Sequence, residues 1–192
     1  DAGGSDRAMA RHDVAMLRRK EQTDAANIVG VTQLFFLGYG DGRLQVTLQL
    51  RADISAVIRR VRPRVVIAQS PERILDRVYA SHPDHMAAGE ATLCAVYPDA
   101  RNPFAFPELF REEIEPWAVD EVWVQGGGTG THSIDVTSAV DRKIAALMSH
   151  VSQHTDPHRT ETIVREWMEN TAKQFDLPDG AAAETFRVVD AR

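Results

Sequence analysis

Apolar residues along the chain fall into helical stripes and short continuous runs, and their order predicts alternating helices and strands. From about Arg7 to Val29 the chain is rich in Ala, Arg, Met and Glu, and Val14, Leu17, Ala25 and Ile28 can share one helical stripe. Gly30 follows as a C-terminal cap, because glycine takes the left-handed backbone that ends a helix. Thr32 to Leu37 is a β-branched and aromatic run bounded by Gly38, which predicts a strand buried on both faces. Leu48, Ile54, Val57, Ile58 and Val61 mark a second helix, which Pro63 stops by pushing its predecessor out of helical geometry. Val65 to Ala68 predicts another buried strand.

A loop from Ser70 to Ser81 leads to a third helix, starting near Pro83 and ending before Tyr97-Pro98, since proline suits a first helical turn and not an interior. Asn102 to Trp117 is broken by Pro103, Pro107 and Pro116 and predicts an irregular surface excursion. Val122–Gln125 and Ser133–Val136 read as short strands around a turn at Gly126-Gly127-Gly128. Val140, Ile144, Leu147, Met148 and Val151 give a fourth helix, and Ile163, Trp167 and Ala172 a fifth. Phe186 to Val189 is expected to close the sheet edge. Alternation of this kind predicts an α/β fold with a mainly parallel sheet covered on both sides, in which ligands bind beyond the carboxyl ends of strands.

The chain has 192 residues, 43% hydrophobic and 26% charged, which is ordinary for one globular domain. A formal net charge of -6 and the lack of a Lys/Arg-rich run make nucleic acid an unsuitable partner. Apolar runs fall far short of the roughly 20 residues that span a bilayer. The single cysteine, Cys94, lies among Ala91, Leu93, Ala95 and Val96 and reads as a packing residue. The opening Asp-Ala-Gly-Gly-Ser-Asp has neither a Met nor a signal-peptide pattern, so the chain is expected to begin mid-protein and to be cytoplasmic.

Chemistry centres on Ser81-His82-Pro83-Asp84-His85, which follows the loop after a strand. Pro83 presets the first helical turn, so the two imidazoles, three residues apart, can face one crevice. Amides at a helix N-terminus disfavour positive charge, which suits His85 as a neutral metal ligand. His82 has freer geometry, and Asp84 could hold one of its ring N–H groups and favour the protonated form. The same residues also read as a helix cap, a dipole-compensating carboxylate and a surface histidine.

The text around this motif, Tyr79-Ala-Ser-His-Pro-Asp-His-Met-Ala-Ala-Gly-Glu-Ala and on to Ala95-Val-Tyr-Pro-Asp-Ala-Arg-Asn-Pro, resembles the downstream metal motif of the PIG-L/LmbE family of zinc-dependent de-N-acetylases. Further segments resemble family landmarks in family order: Arg18-Arg-Lys-Glu21, Phe36-Leu-Gly-Tyr-Gly-Asp41-Gly, Arg60-Val-Arg-Pro-Arg-Val-Val, Asp135-Val-Thr, Lys143, and His150-Val-Ser-Gln153. The resemblance implies a Rossmann-like three-layer sandwich in which a divalent metal, usually zinc, activates water to hydrolyse an N-acetyl or related amide on an amino sugar or glycoconjugate. It implies His85 as a metal ligand, His82 as the charged imidazole that stabilises the oxyanion or protonates the amine, and Asp84 as its orienting partner. It implies Arg18 and Asp41 as residues that hold substrate hydroxyls. Family members begin with a strand ending in Ala-His-Pro-Asp-Asp, which completes the metal site, and no such motif occurs in residues 1–192. The expectation is therefore a single, N-terminally incomplete deacetylase domain lacking its first βαβ unit, with strand edges exposed and poor solubility as an isolated segment.

Other candidates have plainer readings. His150 and His154, four apart, suit the last turn of a helix, where imidazoles meet the dipole favourably. Arg18 and Glu21 form an ordinary i,i+3 ion pair as readily as a substrate site, and Asp41 between glycines is a turn former. His12, His132 and His158 read as surface, the triple glycine as a flexible turn, and Trp117, Trp123 and Trp167 as packing. A deacetylase-like binding module without a complete metal site is the rival reading, and a nucleotide-binding protein is disfavoured because no Gly-rich fingerprint follows a strand. A small amino-sugar conjugate is the expected partner, with a second copy of the chain as a further candidate.

Overall fold

The computed structural model describes residues 8–111, 114–126 and 130–192. Its elements, in chain order, are α1 (Arg11–Val29), α2 (Leu48–Val61), β1 (Val65–Gln69), α3 (Pro83–Cys94), the one-turn α4 (Glu108–Arg111), β2 (Glu121–Gln125), β3 (His132–Asp135), α5 (Val140–Met148), α6 (Pro157–Gln174) and β4 (Ala183–Asp190). The chain divides into two compact units, Asp1–Phe36 with Ser133–Thr185, and Leu37–His132 with Phe186–Arg192. The strands form one sheet in the order β1-β2-β4-β3.

The sheet is mixed. β1 and β2 run parallel, from Val65 opposite Glu121 to Gln69 opposite Gln125, whereas β4 lies antiparallel to β2, from Asp190 opposite Glu121 to Arg187 opposite Val124. Apolar pattern alone does not set strand direction, because both ladders employ the same backbone groups. Phe186–Val189 accordingly lies within β4, between β2 and β3, instead of closing an edge.

In the second unit, α2 starts where the Thr47 side chain accepts a hydrogen bond from the Leu50 amide at 3.1 Å. It ends at Arg62, which takes the left-handed cap conformation with φ 53°. Its buried face carries Leu50, Ala52, Ser55, Ala56, Ile58 and Arg59, while Leu48 and Val61 of the anticipated stripe are exposed. Arg59, only 1% exposed, donates to the carbonyls of Asp99, Ala100, Asn102 and Ala105 at 2.9–3.1 Å and so ties down the turn that opens the proline-broken excursion. Ile58, Ala68, Ala95, Val96, Val119, Val122 and Val124 form the core around β1 and β2. Val65 and Ile67 of β1 stay exposed, Ile67 at 59%, so this strand is not buried on both faces.

The first unit packs α1, α5 and α6 with Ile144, Met168 and Ala172 buried. Gly30 has φ 79° and caps α1 as anticipated. Of the anticipated α1 stripe only Ala25 is buried, beside Ala26 and Glu21, and Ile28 is exposed. Thr32–Leu37 forms no strand, and Leu34, Phe35, Phe36 and Leu37 are exposed. High β-propensity does not make a strand without a neighbouring ladder, and none of the described residues supplies one here. Val151 lies beyond α5, in a short turn of 3₁₀ helix. Of the triple glycine, Gly127 and Gly128 lie outside the described residues, as does Arg7.

Candidate active site

The Ser81–His85 segment lies at the carboxyl end of β1, where an α/β sheet places its ligands. Its entry loop is closed by the buried Ser81, whose hydroxyl accepts from the Ile74 amide at 2.8 Å and whose own amide donates to the Val78 carbonyl at 3.0 Å. Pro83 then opens α3 with His82 as N-cap. The helix sits unusually near the strand end. A Cβ on Gly89 would lie 2.2 Å from the Gln69 carbonyl oxygen and 3.1 Å from the Pro71 nitrogen, so only glycine permits this approach. Gly89 is one turn beyond His85 on the same helix face, so the close approach carries His85 to the strand end. There His85 lines a small polar cavity with Gln69 and Ser70 at the end of β1 and Gln125 and Gly126 at the end of β2.

The His82 ring stands beside that of His85, with centroids 5.4 Å apart and planes inclined at 51°. The His82 Nδ1 atom accepts a hydrogen bond from the Asp84 amide at 3.2 Å, which leaves the ring proton to Nε2. The expectation that the Asp84 carboxylate holds a His82 ring N–H is corrected: the contact to the ring comes from the Asp84 amide. Both carboxylate oxygens are engaged elsewhere, with the Gly42 amide at 2.6 Å and the Leu44 amide at 3.2 Å. The reason is local: the orphan amide at the helix start is the nearest donor to the ring, and the Gly42 loop offers two amides to a charged acceptor. Asp84 therefore fastens the loop that carries Asp41, itself half-buried, to the start of α3. Among the described residues, no group of three or more His, Cys, Asp or Glu could hold a metal ion. A catalytic zinc ordinarily has three protein ligands. His85 by itself does not make such a site.

Arg18 belongs to the other unit. Its Nη1 donates to Glu21 Oε2 at 2.5 Å and to His150 Nδ1 at 3.2 Å. The Glu21 carboxylate, 4% exposed, also accepts from the Ser152 amide at 2.7 Å and the Ser152 hydroxyl at 2.9 Å. Burial alone would raise the Glu21 carboxyl, but the two Ser152 hydrogen bonds and the Arg18 guanidinium together hold it below its ordinary value. Burial and then the Arg18 charge push His150 below the ordinary imidazole value, against the pull of Glu21. His154 donates from Nε2 to the Leu147 carbonyl at 3.0 Å, a helix-end role as anticipated. Cys94 is half-buried beside Glu90, and burial followed by that carboxylate raises its thiol, which suits a packing residue. The Arg18–Glu21 ion pair is the one the spacing predicts, whereas the sequence gives no role to Gly89, although a glycine inside a helical pattern is a sign of close packing, nor to the Ser152 side chain that joins the pair.

Among the described residues no helix is long and apolar enough to cross a membrane. Residues 1–96 match the family model described as GlcNAc-PI de-N-acetylase, PIG-L. The chain is 28% identical over 151 residues to diacetylchitobiose deacetylase of Thermococcus kodakarensis, matching 79% of this chain and 55% of that protein. It is 31% identical over 177 residues to a probable N-acetyl-alpha-D-glucosaminyl L-malate deacetylase 2 of Bacillus anthracis, across 83% of this chain and 69% of that protein. Its fold superposes on N,N'-diacetylchitobiose deacetylase from Pyrococcus horikoshii with a TM-score of 0.87 at 23% identity, over 99% of this chain and 69% of the other. The chain thus spans about half the length of the Thermococcus relative. With its helix-opening His-Pro-Asp-His at the strand end and its α/β sheet, the chain belongs to the PIG-L family of de-N-acetylases.

Proposed function

We propose that the protein is a metal-dependent amide hydrolase that removes an N-acetyl group from an amino sugar or its conjugate. The carrying observation is the pair of exposed imidazoles, 5.4 Å apart, at the carboxyl end of a parallel strand in a chain of this family. Relatives named for deacetylation of N-acetylglucosamine derivatives support the substrate class. In this reading His85 contributes one ligand to a divalent cation, zinc being the first candidate, with the other ligands from outside the described residues. A bound divalent cation of this kind polarises a carbonyl and lowers the pKa of water. His82, its Nδ1 occupied by the Asp84 amide, turns Nε2–H toward the oxyanion that forms as water adds to the amide carbonyl. Asp84 positions the Gly42 loop, through which Asp41 reaches substrate hydroxyls, and Arg18 holds a further polar group of the substrate. Residues 1–192 are read as one deacetylase domain working on a small molecule in the cytoplasm.

A second reading, a binding module that retains the fold without hydrolysis, is favoured by the incomplete ligand set among the described residues. Acetate release from an N-acetylglucosamine conjugate by the intact protein separates the two. The enzyme reading expects metal-dependent release, abolished by chelation and by His85→Ala. It fails if the intact protein, loaded with zinc, releases no acetate or if His85→Ala retains full activity.

A further inference from the structure

In the Arg18 cluster a buried carboxylate and two side chains distant in sequence gather around one guanidinium. Among the described residues Arg18 makes its hydrogen bonds through Nη1 alone, to Glu21 and His150, which leaves Nε and Nη2 for another partner. Its side chain is 33% exposed, whereas the Glu21 side chain is 5% exposed. An i,i+3 ion pair at a helix surface needs no third residue, yet Ser152, distant in sequence, gives Glu21 two further hydrogen bonds. With three donors on its two oxygens, the Ser152 amide, the Ser152 hydroxyl and Arg18 Nη1, the carboxylate is held in place and fixes the guanidinium. His150 closes the other side of Nη1 through an unprotonated Nδ1. A proton on that nitrogen would set two donors against each other and place like charges at 3.2 Å.

We propose that Glu21, Ser152 and His150 are positioning residues which hold the Arg18 guanidinium so that its Nε and Nη2 edge takes substrate oxygen, and that protonation of His150 releases that hold. The inference rests on Arg18 acting as a substrate-binding residue. The groups facing His150 are Arg18, Glu21 and His154. Of these, Arg18 and His154 oppose a charge on the ring and Glu21 favours it, so release is an acid-side event. Because the cluster touches substrate only through Arg18, its loss weakens binding and leaves the bond-breaking step alone.

Steady-state kinetics of the intact enzyme, paired with an NMR titration of the His150 ring, test this. Glu21→Gln is expected to raise KM by about tenfold with kcat nearly unchanged, the loss of one charge-assisted hydrogen bond. In the wild type, KM is expected to climb as pH falls through the His150 titration. In His150→Asn, which keeps an acceptor without a titrating proton, that climb disappears. Arg18→Gln is expected to move the His150 titration upward, a readout independent of turnover. If Arg18→Gln raises KM while Glu21→Gln does not and His150→Asn keeps the acid-side climb, the positioning role is overturned and the role of Arg18 stands. If Arg18→Gln leaves KM unchanged, the substrate role of Arg18 falls and this inference with it, while acetate release still reports on the hydrolase reading. Should Glu21→Gln fail to fold, the comparison of wild type with His150→Asn decides alone.

Discussion

At the start of α3, His82 and His85 stand exposed, and after α5, His150 and His154 sit half-buried in a web of hydrogen bonds. Both pairs have helical spacing, three residues in one and four in the other. What separates them is which end of a helix they meet. A helix start offers orphan N–H groups, so His82 serves as an acceptor through Nδ1 and keeps Nε2–H for an outside oxygen. A helix end offers orphan carbonyls, so His154 donates Nε2–H to Leu147 and has its proton committed within the fold. His85 makes no hydrogen bond among the described residues, whereas His150 is tied to Arg18. Spacing of histidines is therefore a poor guide to chemistry, and the polarity of the helix end is a better one.

The comparison breaks most sharply at the open pair. His85→Ala in the intact protein is expected to lower acetate release by at least about a hundredfold, the upper range for loss of support to a metal ligand. Its folding free energy should hold to within roughly 0.5 kcal/mol, because the side chain is exposed. His154→Ala should do the reverse, costing stability through the Leu147 carbonyl while sparing turnover. Measured activity and thermal melts of the two variants side by side test the assignment, and equal activity losses would abolish the distinction.

Gly89 tests what brings the open pair to its strand. The added methyl of Gly89→Ala would meet backbone, not a movable side chain, at 2.2 Å. Overpacking of that kind costs about 1–3 kcal/mol, and the helix must back away from Gln69 to relieve it. Denaturant titration should show the loss of stability. Activity should fall further than stability alone explains, because His82 and His85 travel with the helix. A variant with wild-type stability and activity would mean that the close approach is dispensable.

Much of the architecture was legible from the sequence, and the parts that were not share a cause. The caps at Gly30 and Pro83, the helices Val140–Met148 and Pro157–Gln174, and the short strands at β1, β2 and β3 follow from local chemistry that neighbouring residues dictate. Thr32–Leu37 and Val65–Gln69 look alike in text, and only the second finds a ladder, with β2. Strand formation depends on a partner that the run itself does not encode, as does the antiparallel setting of β4. In the candidate site, the pairing of His82 with His85 was readable from spacing and proline. The engagement of Asp84 with Gly42 and Leu44 was not, because those amides lie some forty positions away. Family landmarks such as Asp135 and Lys143 have structural work: Asp135 accepts from Thr137, whose hydroxyl accepts the Ala182 amide, and Lys143 pairs with Glu184.

His82 carries two roles that a pair of substitutions can part. As N-cap it satisfies one orphan amide, so His82→Ala should cost about 1 kcal/mol, read from thermal or chemical melts. His82→Asn offers a side-chain oxygen to the same amide and should recover most of that stability, but it lacks the ring Nε2–H and should not recover turnover. Recovery of both would reduce His82 to a cap. Recovery of neither would mean that the ring packs in a way asparagine does not reproduce.

The locked pair gives the smallest effect, and its sign follows from linkage. His150 is held below its ordinary 6.5 in the folded protein, chiefly by burial and by Arg18. As pH falls past 6.5, the unfolded chain takes up this proton before the folded one does, so folding loses stability until the folded ring titrates too. Glu21 adds a second, more acid loss of the same sign, beginning below its ordinary 4.5, because its carboxyl is held low in the fold. Stability should therefore decline in two stages on acidification. His150→Asn should remove the first stage and leave the second. Thermal melts of the wild type and this variant through the range read the difference directly. A first stage that persists in His150→Asn would place the acid sensitivity on some other group and remove the contrast between an imidazole held by the fold and one held open.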